Sequence, residues 1–121
     1  MYAVIIGEEK DIKIYREYLE RLKMDISNII SPKEFLPLVE DIYNHYLLKR
    51  ADVVIVLTES DQFNFYISKL CREWYKIEKV ITSINNSNNQ EVFSSIGIDD
   101  FIDISLYTKQ SLNKFLEKRS N

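Results

Sequence analysis

Glycine is scarce in this sequence: Gly7 and Gly97 are the only two among 121 residues. The scarcity matters at the amino terminus, where an apolar run reaches Gly7 and passes into an amphipathic segment, as in a nucleotide-binding strand–turn–helix unit. Such a turn ordinarily needs further glycines so that the backbone can approach a pyrophosphate, yet Gly7 is followed by Glu8, Glu9, Lys10, Asp11 and Ile12. Cysteine is scarcer still. Cys71 alone excludes an internal disulfide and a thiolate zinc cluster, fits a reducing cytoplasm, and reads as a small core residue. His45 is the only histidine, with no Ser or Cys partner near it in sequence, and reads as a polar-face helix residue. No basic block is present and the formal net charge is −3, so nucleic acid and anionic membranes have no electrostatic claim on the chain. No apolar run approaches the roughly 20 residues that span a bilayer, and the amino terminus lacks the layout of a signal peptide. The expectation is a cytoplasmic protein without direct membrane insertion.

What is present is apolar and regularly spaced. With 45% hydrophobic residues the chain can close a core as a single domain over 1–121. Five short apolar runs, Tyr2 to Ile6, Asp25 to Ile30, Asp52 to Leu57, Lys79 to Ile84 and Asp100 to Ile104, are mostly rich in Val and Ile and nearly continuous, as strands buried on both faces are. Between them lie helical stripes, Ile12, Tyr15, Leu19 and Leu22 in one segment and Phe63, Ile67, Leu70 and Trp74 in another. "SPKE" supplies a helix start, with Ser31 as N-cap, Pro32 in the first helical position and Glu34 closing a capping box; "SNNQ" repeats the logic with Ser87 and Gln90. Pro37 falls in the first turns after Ser31 and predicts a kink or a late start, and Gly97 predicts a left-handed helix end. Strict alternation of strand and helix implies a parallel sheet with helices on both faces.

Two features carry possible chemistry. If the first and third strands are adjacent, their ends bring Glu8, Glu9 and Asp11 near Glu59 and Asp61. Such carboxylates could hold Mg²⁺ for phosphotransfer, and "IIGEEKD" with "TESD" distantly resembles the layout of toprim nucleases. The competing reading is that Glu8 and Glu9 merely open a helix and Asp61 caps the next one. The second feature is an excess of aromatics, Tyr43, Tyr46, Tyr66, Phe65, Trp74 and Tyr75, more than one helix face can hide and therefore pointing to a partner surface.

From Ala51 onward, "ADVVIVLTESDQFNFYISKLCREWYKIEKVITSINNSNNQEVFSSIGIDDFIDIS" resembles the RCK_N or TrkA-N family of potassium-conductance regulators. The resemblance rests on Ala51, Asp52, Thr58, Asp61, Asn64, Gly97, Ile98 and Asp99, in order and spacing, with Ile96 where the family usually has Leu. It implies a Rossmann-like three-layer domain that dimerises, binds NAD(H) or an adenine nucleotide, and passes the ligand state to a potassium channel or transporter. Removing one outer strand from the family's sheet leaves five, in the order 2-1-3-4-5. The residues placed at the cofactor are Gly7, Glu8, Glu9, Thr58, Asp61 and Asn64, of which Thr58 and Asp61 also read as ordinary caps. Glu9 and Ile12 stand where the second and third glycines belong, Ser31 where the ribose-binding acid belongs, and Ser83 where an arginine is common. The expectation is therefore a non-enzymatic regulatory or scaffolding domain with a degenerate dinucleotide site. No cofactor is expected to bind tightly, and a channel or transporter subunit is to be recruited without a further ligand-binding domain.

Overall fold

The computed structural model describes residues 1–30, 47–98 and 100–119, with the side chains at 27–30, 118 and 119 left aside. The expected features at Ser31, Pro32, Glu34, Pro37, Tyr43, His45, Tyr46 and Asp99 lie outside the described residues. Strands β1 (Tyr2–Gly7), β2 (Asp25–Ile30), β3 (Val53–Leu57), β4 (Lys79–Ile84) and β5 (Asp100–Asp103) form one parallel sheet. Their order is β2-β1-β3-β4-β5, as expected. Helix α1 (Glu9–Arg21) follows β1, α2 (Asp61–Glu73) follows β3, a 3₁₀ turn (Ser87–Asn89) and α3 (Gln90–Ser95) follow β4, and α4 (Ile104–Arg119) follows β5. The chain order reverses between β1 and β3, the switch point at which such sheets open a crevice.

Alternation along β1 divides the core. Ala3 and Ile5 join Ile12, Ile26, Val53 and Ile55 under α1. Val4 and Ile6 face the opposite layer with Val54, Val56, Ile67, Cys71, Phe93 and Ile98, under α2 and α3. Leu48, from the helical residues 47–49, completes that layer. Both faces of the central strands are therefore dry, which is why they read as continuous apolar runs.

The helical stripes are rotated from the expected ones. In α1 only Ile12 is buried; Tyr15 and Leu22 are 42% and 55% exposed. At 3.6 residues per turn they lie about 60–80° around the helix from Ile12, while Leu19, about 20° away, still packs inward. In α2 the sheet-facing residues are Asn64, Ile67, Ser68 and Cys71. That row is turned by about 90° from Phe63, Leu70 and Trp74, so small and polar side chains meet the sheet and the larger apolar ones flank it. The pattern of caps is also corrected. Ser60, not Asp61, caps α2, its Oγ accepting from the Phe63 amide at 3.1 Å. Asn86 rather than Ser87 caps the 3₁₀ turn, accepting from the Asn88 amide at 3.0 Å. Gly97 has φ +82° and ends α3 as expected.

Candidate functional site

Gly7 closes β1 directly opposite Leu57, the last residue of β3. A Cβ at position 7 would lie 2.8 Å from the Leu57 carbonyl oxygen, a distance that the backbone must move to relieve. The glycine is thus required by the strand pairing itself. Glu8 is the N-cap of α1 and makes no side-chain capping bond; Glu8 and Glu9 are both exposed. Ile12, at the third glycine position of a dinucleotide turn, is 2% exposed and fills the space between α1 and the sheet.

One residue beyond β3, Thr58 meets α2. Its Oγ1 donates to Asn64 Oδ1 at 2.5 Å, and its amide reaches the same oxygen at 3.3 Å. Asn64 Nδ2 donates to the carbonyls of Thr58 at 3.1 Å and Ser83 at 3.0 Å. Ser83 Oγ in turn donates to the Thr58 carbonyl at 3.2 Å. Asn64 is fully buried and Thr58 is 6% exposed. Both oxygen and nitrogen of the Asn64 amide are consumed inside the protein, stitching the ends of β3 and β4 to α2.

Asp61 makes a second clasp, between α2 and the segment that follows β4. Oδ1 accepts from the amide and side chain of Asn85, at 2.7 and 2.9 Å; Oδ2 accepts from the Asn86 amide at 2.9 Å and Asn89 Nδ2 at 2.8 Å. Partial burial acts to raise the Asp61 pKa, but donation from Asn85, Asn89 and Asn86 outweighs it, and the carboxyl titrates below its ordinary value. A third hub, unforeseen in the sequence, is Asp103. Oδ1 accepts from Ser87 Oγ, Ser105 Oγ and the Leu106 amide at 2.9–3.0 Å, and Oδ2 from Gln90 Nε2 at 2.7 Å. Gln90 therefore does not close the expected box with Ser87; a charged acceptor draws both side chains to itself. Burial works against the Asp103 charge, and the donors from Leu106, Ser87, Ser105 and Gln90 again carry its pKa down.

The acidic residues sit at adjacent strand ends, but no three His, Cys, Asp or Glu side chains among the described residues are grouped to hold a metal ion. The Asp61 oxygens point at amide donors instead. Asn85, Asn86 and Asn89 read in the sequence only as a polar loop. Their signal, an asparagine-rich run after a strand, gains meaning once the sheet order puts β4 beside β3. Cys71 is the buried core residue expected of it, its thiol pushed up to about 12 by desolvation.

Residues 38–104, more than half of the chain, match the TrkA-N domain. The chain belongs to the TrkA-N domain family. A Trk system potassium uptake protein TrkA homolog from Methanothermobacter thermautotrophicus is 36% identical over 55 residues, which cover 46% of this TrkA-N chain and 25% of that protein. The chain thus spans about a quarter of that relative's length. Among solved structures, the GsuK RCK domain superposes with a TM-score of 0.80 at 19% identity, covering 99% of this chain and 29% of that one. A GsuK channel bound to NAD gives 0.79 at 17% identity, covering 98% and 24%. At those identities the likeness is one of fold, and it extends the Rossmann-like reading over residues that the TrkA-N match leaves out.

Proposed function

We propose that this TrkA-N domain is a non-enzymatic regulatory or scaffolding unit of a potassium channel or transporter, working in the cytoplasm as a homodimer. The observation that carries the reading is the TrkA-N match over residues 38–104, supported by a relative whose name is that of a potassium uptake protein. No described helix is long and apolar enough to cross a membrane, which agrees with a peripheral unit that acts on a membrane partner. The test is rubidium uptake in cells with and without the chain. A change in uptake supports the proposal, and unchanged uptake under potassium limitation sinks it.

The dinucleotide site is proposed to be degenerate, because the residues at the family's positions do not fit NAD(H) well. Ile12 fills the helix–sheet contact with a side chain, Glu9 adds bulk and charge at the turn, and Asn64 has no polar atom to spare for a ligand. A crevice bordered by Glu8, Glu9, Glu59 and Asp61 also repels a pyrophosphate, which relies on helix amides and dipole for its binding. The expected affinity is weaker than the high micromolar range, about 5 kcal/mol or less of binding free energy. Calorimetric titration with NADH, ATP, ADP and Mg²⁺ checks this, and a low-micromolar isotherm for any of the nucleotides would refute it.

A further inference from the structure

Helix α4 spends almost none of its apolar surface on the fold. Every side chain from Leu106 to Glu117 is exposed, and Tyr107, Leu112, Phe115 and Leu116 are 55–65% exposed, whereas α1 and α2 bury side chains against the sheet. Contiguous apolar surface of this kind marks a contact site. At about 100° per residue, Leu112, Phe115 and Leu116 share an arc of about 100°; Lys109 stands about 20° beyond one margin and Lys114 about 100° beyond the other, with Gln110 and Glu117 opposite. The formal net charge of −3 is also unevenly shared. Lys109, Lys114, Lys118 and Arg119 against Glu117 give α4 a net +3, so the rest of the chain carries −6. Lys109 and Lys114 are exposed and make no ion pair among the described residues. The charge of the whole chain disfavours an anionic membrane, but at α4 the sign is reversed.

We propose that α4 docks on the surface of a bilayer containing anionic phospholipid, lying in the interface plane with Leu112, Phe115 and Leu116 at the acyl boundary and Lys109 and Lys114 among the lipid phosphates. The helix has 16 residues, about 24 Å at 1.5 Å per residue, which is short of the roughly 30 Å hydrocarbon core. It therefore lies on a membrane and does not cross one. Lysines at both margins of an apolar arc can lay their stems on the acyl boundary while their ammonium groups stay at the headgroups. Each cation held near such a surface strengthens partitioning by roughly fivefold. The −6 carried by the other residues is repelled by the same lipids, so charge turns the α4 side toward the membrane. The same helix of a second copy fits less well, because the lysines beside one apolar arc would meet those beside the other. Docking of this kind holds the chain beside a membrane partner whether or not that partner carries potassium.

Co-sedimentation of the full chain with sucrose-loaded vesicles tests the proposal, comparing phosphatidylcholine alone with phosphatidylcholine containing about 30% phosphatidylglycerol, in about 0.1 M salt where charge acts over about 10 Å. Binding is expected to the anionic vesicles only. Lys109→Glu combined with Lys114→Glu is expected to weaken it by about tenfold or more, and Phe115→Ser, which leaves the charge unchanged, by roughly tenfold. Both changes fall on exposed positions, so circular dichroism should be unaltered. Lys10→Glu with Lys13→Glu in α1 shifts the net charge equally and is expected to leave binding within about threefold. No binding, binding of equal strength to neutral vesicles, or equal loss from the two charge reversals overturns the proposal. It is overturned too if vesicles are ignored and sedimentation equilibrium shows Phe115→Ser dissociating a dimer, since a second copy then covers the face. Rubidium uptake that does not respond to the chain refutes the potassium reading and leaves the vesicle result standing.

Discussion

The Asp61 carboxylate accepts bonds from three asparagines contributed by the segment that follows β4, so its charge holds α2 to that segment. Asp61→Asn keeps the shape but gives up one acceptor and turns an amide toward other amide donors. The expected cost is about 1–3 kcal/mol at pH 7, the range for hydrogen bonds to a charged group, read from urea unfolding. The pH dependence has a definite sign. Because the folded carboxyl titrates below its unfolded value, its contribution is complete above about pH 4 and is lost as pH falls through the folded pKa. The difference between wild type and Asp61→Asn should therefore shrink in acid, and a gap that stays constant to pH 2 would contradict the clasp. Gly7 makes a separate residue-level prediction. Since a Cβ there meets the Leu57 carbonyl at 2.8 Å, Gly7→Ala is expected to cost about 1–3 kcal/mol, as overpacking does. The loss should be the same with or without added nucleotide, whereas a glycine retained only for phosphate approach would leave stability unchanged on substitution.

Among the elements, α4 depends most on a single residue. All of its described residues are exposed except the half-buried Ser105, with Tyr107, Leu112, Phe115 and Leu116 each more than half exposed, so little apolar burial holds it in place. Its start is fixed by Asp103, the end of β5, whose Oδ1 accepts from the Leu106 amide in the manner of an N-cap. The same carboxylate gathers Ser87, Gln90 and Ser105 and so ties α4 to the 3₁₀ turn after β4. Asp103→Ala is expected to cost about 2 kcal/mol, at the upper end for a lost cap because other donors lose their acceptor too. Hydrogen exchange should locate the damage in the first turn of α4 and at Ser87, with β1 and β3 still protected. Uniform loss of protection would show instead that α4 folds with the sheet as one unit.

At the scale of the whole molecule, the sheet has the topology that elsewhere accompanies a dinucleotide, while the ends of β3 and β4 beside its switch point are laced by their own side chains. Thr58, Asn64 and Ser83 form one set of bonds there, and Asp61 with Asn85, Asn86 and Asn89 forms another. Ligand-linked stabilisation should be correspondingly small. With a dissociation constant near the millimolar range, NADH at about 0.1 mM is expected to move the melting temperature by less than about 1 °C. A rise of about 4 °C or more would mean that the crevice binds the dinucleotide after all.

Strand composition and strict alternation were enough, from the sequence alone, to place five parallel strands within a residue or so. A strand buried on both faces must be apolar throughout, so β1, β3 and β4 announce themselves without reference to their neighbours. Family membership was legible for a related reason: Thr58 follows β3, Asp61 and Asn64 lie in the first turn of α2 and Gly97 follows α3, junctions where spacing along the chain is itself the signal. The partners of those residues were not legible. Asp61 read as a cap for its own helix because a local bond is all that a linear sequence displays, yet it serves a loop 24 to 28 residues away. Ser87 and Gln90 read as a capping box for the same reason, until β5 came to lie beside β4 and delivered Asp103. The helix faces were misjudged by a rotation. Hydrophobic spacing marks a row of apolar residues, but which row meets the sheet in α2 depends on Asn64 reaching Thr58 and Ser83 and on Ser68 and Cys71 being small enough to pack there. Those contacts exist only after β3 and β4 are paired, so tertiary structure alone decided which aromatic side chains were left facing outward.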